Sequence, residues 1–332
     1  MTQQQITSTW QSSEIKVSVI CCTYNHENYI RDALNGFLMQ KTNFPFEVLV
    51  NEDASTDNTA RILKEYEEKY PQIIKPIYHD VNEYSKGIDI FGNVAKLAKG
   101  KYIAICEGDD YWIDENKLQM QVDFLEGNPE YGMCYTKTKQ FVQNKNKFLR
   151  KHFGSEIKDF EDLLKNGNRI PTLTTVFRKS LVFKYVEEIK PETKSWLMGD
   201  YPMWLYMSHE SKVKFFDVAT ACYRILENSA SHSVNPEKII AFSKSMGAVR
   251  EFYGNRHDII FSFYDLNRIY FDGYFNAYRS TFEKNYKKIA ISFFKKIENK
   301  KNLEKINFMS LFFPKPFFKI FEYMKSLFKE YF

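Results

Sequence analysis

The stretch KYIAICEGDDYW, residues 101–112, constrains this chain more than any other. Tyr102, Ile103, Ala104, Ile105 and Cys106 make an apolar run of the length of a fully buried strand. It stops at Glu107, Gly108, Asp109 and Asp110, three carboxylates in four residues, with Tyr111 and Trp112 directly after. Carboxylates crowded at a strand end repel one another, so a fold keeps them where a cation can sit between them. Mg²⁺ or Mn²⁺ suits such a place, taking one or two carboxylates and completing its shell with phosphate oxygens. The competing reading is a solvated acidic turn capping the next helix, for which Asp114 and Glu115 are also suited.

The same sequence of strand, then polar residues, then helix recurs upstream. Lys16 to Cys22 reads as a buried β-branched strand that runs into Thr23, Tyr24, Asn25 and His26. A helix from about Asn28 to Gln40 follows. A second strand, Phe46 to Val50, ends in Asn51, Glu52, Asp53, Ala54 and Ser55. Asp57 or Asn58 caps a helix reaching about Tyr70, and Ile73 to Tyr78 is a third strand. It leads to a loop with Lys86 and Gly87, a helix near Ile90 to Ala98, and the strand of residues 101–106. Four strand–helix alternations predict an α/β fold with a mostly parallel sheet covered on both faces. Ligands of such sheets bind at the carboxyl ends of the strands, where Tyr24–Asn25, Glu52–Asp53, Lys86 and Glu107–Asp110 all fall. The loop CCTYNHENY has no glycine, which excludes the phosphate turn of a nicotinamide dehydrogenase.

Composition narrows the class. A chain of 332 residues with 44% hydrophobic content can bury a sizeable core. The five cysteines have no metal-binding spacing and read as reduced thiols. The polar start lacks the apolar core of a signal peptide, and no run approaches the length of a membrane-spanning helix. The expected address is therefore cytoplasmic.

The second half is less regular. A helix at Leu118–Glu126, a strand at Tyr131–Phe141, a short helix at 156–166, a strand at Pro171–Phe177 ending at Arg178, and two short strands within Lys212–Arg224 are expected. Asp200 sits alone among large apolar residues in WLMGDYPMW. It reads either as a helix cap before Pro202 or as a general base whose pKa is raised by apolar walls. His232, in the loop ENSASHS, is a candidate phosphate or metal contact, although a loop histidine is as readily solvent-exposed.

In order and spacing, VSVICCTYN, EDASTDNT and ICEGDDYW resemble family 2 of the inverting glycosyltransferases, over residues 15 to about 127. The resemblance implies the GT-A fold and transfer of a sugar from a nucleotide diphosphate donor, a UDP-sugar, to a glycan acceptor that is lipid-linked. It further implies that Thr23, Tyr24, Asn25, Glu52, Asp53 and Ser55 line the nucleoside pocket and that Glu107 lies near ribose and diphosphate. Lys86 would contact the diphosphate. Asp109 would hold Mn²⁺ or Mg²⁺, while Asp110, Trp112 and Arg178 would meet the donor sugar or acceptor. Asp200 matches the catalytic base, and Arg224 with His232 a diphosphate loop. The chain departs from the family in carrying Glu at positions 52 and 107, where Asp is usual, and Ile225–Leu226 where related loops often carry His.

The expected organisation is a polar lead at 1–14, a transferase domain at 15–234 with nucleotide-sugar (15–127) and acceptor (128–234) halves, and a helical region at 235–332. From Thr281 onward the chain carries twelve Lys and no Arg against five Glu, interleaved with aromatics. A helix at 315–332 with an apolar aromatic face and lysines elsewhere suits a membrane interface, which would make the protein peripheral to the inner face of the cell membrane. A face docked on its own core or on a second subunit, giving a homo-oligomer, is the alternative. Lacking Arg and any recognisable module, the segment does not suit nucleic acid. The competing activities are a nucleotidyltransferase of similar fold and a catalytically silent binding module.

Overall fold

The computed structural model describes residues 1–226, 234–259, 263–297, 300, 302–313 and 317. A short helix α1 (Gln3–Thr7), closed by a reciprocal capping box between Thr2 and Gln5, precedes the first strand. The expected alternation then follows as β1 (Val17–Thr23), α2 (Ile30–Leu38), β2 (Phe46–Glu52), α3 (Thr59–Lys69), β3 (Ile74–Tyr78), α4 (Ile90–Leu97) and β4 (Tyr102–Ile105). The second half contains β5 (Tyr111–Trp112), α5 (Lys117–Gly127), β6 (Tyr131–Val142), β7 (Lys147–Phe148), α6 (Phe160–Asn166), β8 (Val176–Arg178), α7 (Lys179–Ile189), α8 (Asp200–Glu210) and β9 (Lys212–Ile225). Helices α9 (Pro236–Arg256), α10 (Phe263–Thr281), α11 (Lys284–Lys296) and α12 (Asn302–Ser310) follow.

The strands form one sheet in the order β3-β2-β1-β4-β8-β6-β9-β5, with β7 beside β6. The first four are parallel, in the register Val17↔Phe46, Val17↔Tyr102 and Val48↔Ile74. From β1 the chain moves outward through β2 and β3, then returns to lay β4 on the other side of β1. That reversal opens a crevice at the carboxyl ends of β1 and β4. Beyond it β8 is antiparallel to both β4 and β6, while β9 is parallel to β6.

Side chains of the parallel strands alternate between two cores. Val17, Val19, Val48, Val50, Tyr102 and Ala104 pack with Leu34, Phe37, Leu63 and Leu118 from α2, α3 and α5. Ile20, Leu49, Ile103 and Ile105 pack with Val94, Leu163, Leu181 and Trp204 on the opposite face. Val249 and Tyr253 of α9 belong to that second core, so α9 is packed on the α/β body. A third cluster, around Phe271, Phe275, Phe294 and Leu311, joins α10, α11 and the turn after α12.

Two expectations need correction. Pro171–Phe177 is not one strand, because the Thr174 hydroxyl bonds the carbonyls of Pro171 and Thr136 and holds Thr172–Thr174 in a 3₁₀ turn before β8. Lys212–Arg224 lies within one long strand rather than two. Its pairing with β6 skips from Phe216 to Ala219, so Asp217 and Val218 bulge out and break the alternation that suggested two pieces.

Candidate active site

The end of β1 and the end of β2 are stitched together. Thr23 is buried, and its carbonyl accepts the Asp53 N–H at 3.1 Å. Asn25 adopts a left-handed backbone (φ 56°), its N–H donates to Ser55 Oγ at 3.0 Å, and its side-chain oxygen accepts the Thr56 N–H at 2.8 Å. Glu52 is buried and accepts the Ser55 N–H at 2.7 Å. These bonds leave Tyr24 exposed at the rim. The Asp53 carboxylate is engaged: it accepts the N–H groups of Glu83 and Tyr84 at 2.8 and 3.1 Å. Asp53 thereby hangs the turn Tyr84–Lys86 from β2, which carries the exposed Lys86 to the same edge.

The acidic turn after β4 faces this pair. Gly108 donates to the Cys22 carbonyl at 2.9 Å, and a Cβ there would lie 2.6 Å from the Thr23 hydroxyl and 3.0 Å from His26 Nδ1. Only glycine allows the turn to approach β1 so closely. Burial, and after it the charge of Asp109, pushes the Glu107 carboxyl up to about 7, and Asp200 acts in the same direction. Asp110 is held well above the carboxylate range by burial first, then by Asp109 and Glu107, against the opposing pull of Arg224. Burial lowers the His26 imidazole, while the charges of Asp109 and Asp57 oppose it.

Asp200 enters this field from the far half of the chain. It is the first residue of α8, yet its carboxylate reaches beyond its own helix. It accepts Thr172 Oγ1 at 3.0 Å and Asn168 Nδ2 at 3.1 Å as well as the Tyr201 N–H at 2.7 Å. Burial raises its pKa and these bonds oppose the rise. Asn168 and Thr172 carried no sequence signal, being single polar residues about thirty positions upstream.

Three expected site residues are placed differently. The Arg224 guanidinium is buried and committed: Nε donates to the Asp109 carbonyl at 2.8 Å, Nη1 to Gln143 Oε1 at 3.0 Å, and Nη2 to Asp32. It lies between the rings of Tyr29 and Tyr111, 5.1 and 4.8 Å from their centroids. It therefore braces the acidic turn instead of standing free for a diphosphate. Trp112 is buried against Phe37, its Nε1 donating to the Leu173 carbonyl at 2.8 Å, so it is core rather than a wall of an acceptor cleft. Arg178 pairs with Tyr102 at the opposite end of β4, because β8 runs antiparallel, and its guanidinium bonds the carbonyls of Tyr131, Leu125 and Asn128. His232 lies outside the described residues.

A strand-ended crevice with four carboxylates at a reversal of strand order is where an α/β sheet of this kind binds its ligand. The family model for glycosyl transferase family 2 matches residues 18–183, and the chain belongs to that family. Among its relatives is the uncharacterized protein Rv1520 of Mycobacterium tuberculosis, 47% identical over 120 residues, which are 36% of this chain and 34% of that protein. The match thus spans about a third of the mycobacterial relative's length. A second relative is the Escherichia coli protein WfgD, named UDP-Glc:alpha-D-GlcNAc-diphosphoundecaprenol beta-1,3-glucosyltransferase. It is 29% identical over 222 residues, 65% of this chain and 79% of that protein. Among solved structures, Staphylococcus aureus TarS 1–349 in complex with UDP-GlcNAc superposes with a TM-score of 0.51 at 18% identity, covering 90% of each chain. That likeness is one of fold, and it agrees with the expected GT-A architecture.

Proposed function

We propose that this glycosyltransferase moves a sugar from a UDP-sugar to a lipid-diphosphate-linked glycan with inversion at the anomeric carbon. The observation that carries the reading is that Asp200, from the far half of the chain, acts on Glu107, which shares the acidic turn at the carboxyl edge of the sheet with Asp109 and Asp110. The WfgD name, with its UDP-linked donor and diphosphoundecaprenol acceptor, supports the substrate classes.

Asp200 is the general base. Thr172, Asn168 and the Tyr201 N–H fix its carboxylate, and burial raises its basicity against the opposing pull of those bonds. As Asp200 takes the proton of an acceptor hydroxyl, that oxygen attacks C1. The bond from C1 to the diphosphate oxygen breaks with its electron pair on the departing nucleoside diphosphate. One displacement inverts the centre. Thr23, Tyr24, Asn25, Glu52, Asp53 and Ser55 frame the nucleoside. Lys86 reaches the diphosphate from the rim, and Asp110 meets the donor sugar.

The acidic turn fits a divalent ion. Among the described residues no three His, Cys, Asp or Glu side chains form a complete chelate. Mn²⁺ or Mg²⁺ would take Asp109 and draw the rest of its shell from donor phosphates. Burial first, and the neighbouring carboxylates after it, raise Glu107 and Asp110, and a cation would offset the part that their mutual charge contributes. When bound, the ion supplies Lewis-acid stabilisation of the leaving oxygens.

Work on a lipid-borne acceptor implies peripheral association with the inner face of the membrane. Among the described residues no helix is long and apolar enough to cross a membrane. Met309, Phe312, Phe313 and Phe317 are exposed at the end of the helical region, while nearly all of the expected interface helix at 315–332 lies outside the described residues.

Asp200→Asn tests the assignment. Turnover is expected to fall on the order of 10²- to 10⁴-fold while UDP affinity holds. Unchanged turnover would remove Asp200 from the mechanism.

A further inference from the structure

Between Lys137 and Phe153 the chain carries five Lys and one Arg and no Asp or Glu. This segment is a built hairpin. Phe141 and Val142 of β6 pair with Phe148 and Lys147 of β7, and the rings of Phe141 and Phe148 lie 4.8 Å apart. Farther down, Thr138 and Phe153 exchange both backbone hydrogen bonds, at 2.8 and 2.9 Å. The tip is a 3₁₀ turn, Gln143–Lys145, closed by Asn146 in a left-handed conformation (φ 46°).

The hairpin stands beside the acidic turn and is fastened to it. Gln143 Oε1 accepts from the same Arg224 guanidinium that bonds the Asp109 carbonyl. Lys137 is paired with Asp217. Lys139, Lys145, Lys147, Arg150, Lys151 and His152 are exposed, and with them Phe148 at 48% and Phe153 at 39%. A solvated basic loop explains the lysines but not two exposed phenylalanines among them. Cations interleaved with exposed rings along the hairpin match a layer of phosphate headgroups over acyl chains, where each Lys or Arg near an anionic surface contributes electrostatically and the rings enter the boundary.

We propose that the hairpin 137–153 is a membrane-docking arm that seats anionic lipid headgroups next to the site. The proposal rests on the reading of a lipid-borne acceptor. It adds that the arm, whose tip turn is bonded to the site through Gln143 and Arg224, holds the crevice against the bilayer.

The test is flotation of the full chain with vesicles of phosphatidylcholine containing a minority of phosphatidylglycerol. The triple variant K139Q/K145Q/K151Q is compared with the native protein, and F148S/F153S serves as a second variant. The C-terminal segment is common to all of them. Loss of three near-surface lysines is expected to weaken partitioning on the order of a hundredfold, and loss of the rings about tenfold. UDP titration and turnover on a water-soluble acceptor should be unchanged in the triple variant. Undiminished flotation of the triple variant, or no flotation of the native chain, overturns the arm. Loss of binding to a soluble polyanionic glycan with vesicle binding intact overturns it in favour of an anionic polymer. Failure of the native chain to bind UDP would sink the donor reading and leave the vesicle result standing.

Discussion

The backbone N–H of Arg224 donates to the Asp110 carboxylate at 2.7 Å, and the Arg224 side chain bonds the Asp109 carbonyl at 2.8 Å. One residue near the end of β9 thus fixes two consecutive residues of the turn after β4, 114 and 115 positions away. The planar guanidinium reaches three partners at once, a geometry that an ammonium group does not reproduce.

Arg224→Lys is accordingly expected to leave the chain folded while weakening metal-dependent UDP binding roughly tenfold, about 1.4 kcal/mol. The backbone bond to Asp110 persists in this variant, so the loss reports on the Asp109 carbonyl, Gln143 and Asp32 contacts. Calorimetry with UDP and Mn²⁺ reads it directly. Affinity equal to that of the native protein would show that the turn holds its shape without the brace.

Gly36 illustrates a second close approach, between α2 and β5. A Cβ at this position would lie 2.8 and 2.9 Å from the Trp112 backbone N and O. Alanine gains up to about 1 kcal/mol in helix propensity. Overpacking costs about 1–3 kcal/mol, and Trp112 cannot retreat because it pairs with Ala221. Gly36→Ala is therefore expected to be destabilising on balance, with a lower denaturation midpoint. A raised midpoint would mean that β5 yields.

Lys117 is fully buried under the site. Its Nζ lies 4.3 Å from the Trp112 ring centroid and donates to Gln121 Oε1 at 2.8 Å. Burial pushes its pKa down to about 7. Between that value and the unfolded value the unfolded chain binds the extra proton, so this group makes stability rise as pH increases from about 7 to about 10. Below pH 7 both states are protonated and the penalty is constant. Lys117→Met removes the titration. The variant should gain on the order of a few kcal/mol relative to native near pH 7, and that gain should shrink toward pH 10. Urea midpoints measured at several pH values check it, and a gain independent of pH would contradict it.

Much of the donor half was legible because parallel strands announce themselves twice, as β-branched runs and as polar residues at their ends. Thr23, Asn25, Glu52, Asp53, Ser55 and Glu107–Asp110 converge as the alternation implied. Contacts made across long loops were not legible. Nothing in the local sequence marks Asn168 or Thr172 as holding Asp200, and Arg224 looked free because its partners Asp32, Asp109 and Gln143 come from three separate segments. Arg178 was misplaced for a topological reason: β8 is antiparallel, so its end points away from the crevice. Trp112 was read as a cleft wall because sequence does not reveal which side of β5 faces Phe37.

The central claim is that Asp109 anchors a divalent ion through which a nucleoside diphosphate is held. Calorimetric titration of UDP into native protein and Asp109→Ala, with Mn²⁺ and with a chelator, tests it most directly. Saturable UDP binding by native protein that needs Mn²⁺ and is lost in the variant is the predicted result. UDP binding of equal strength with or without the ion, or in the absence of the Asp109 carboxylate, would contradict it.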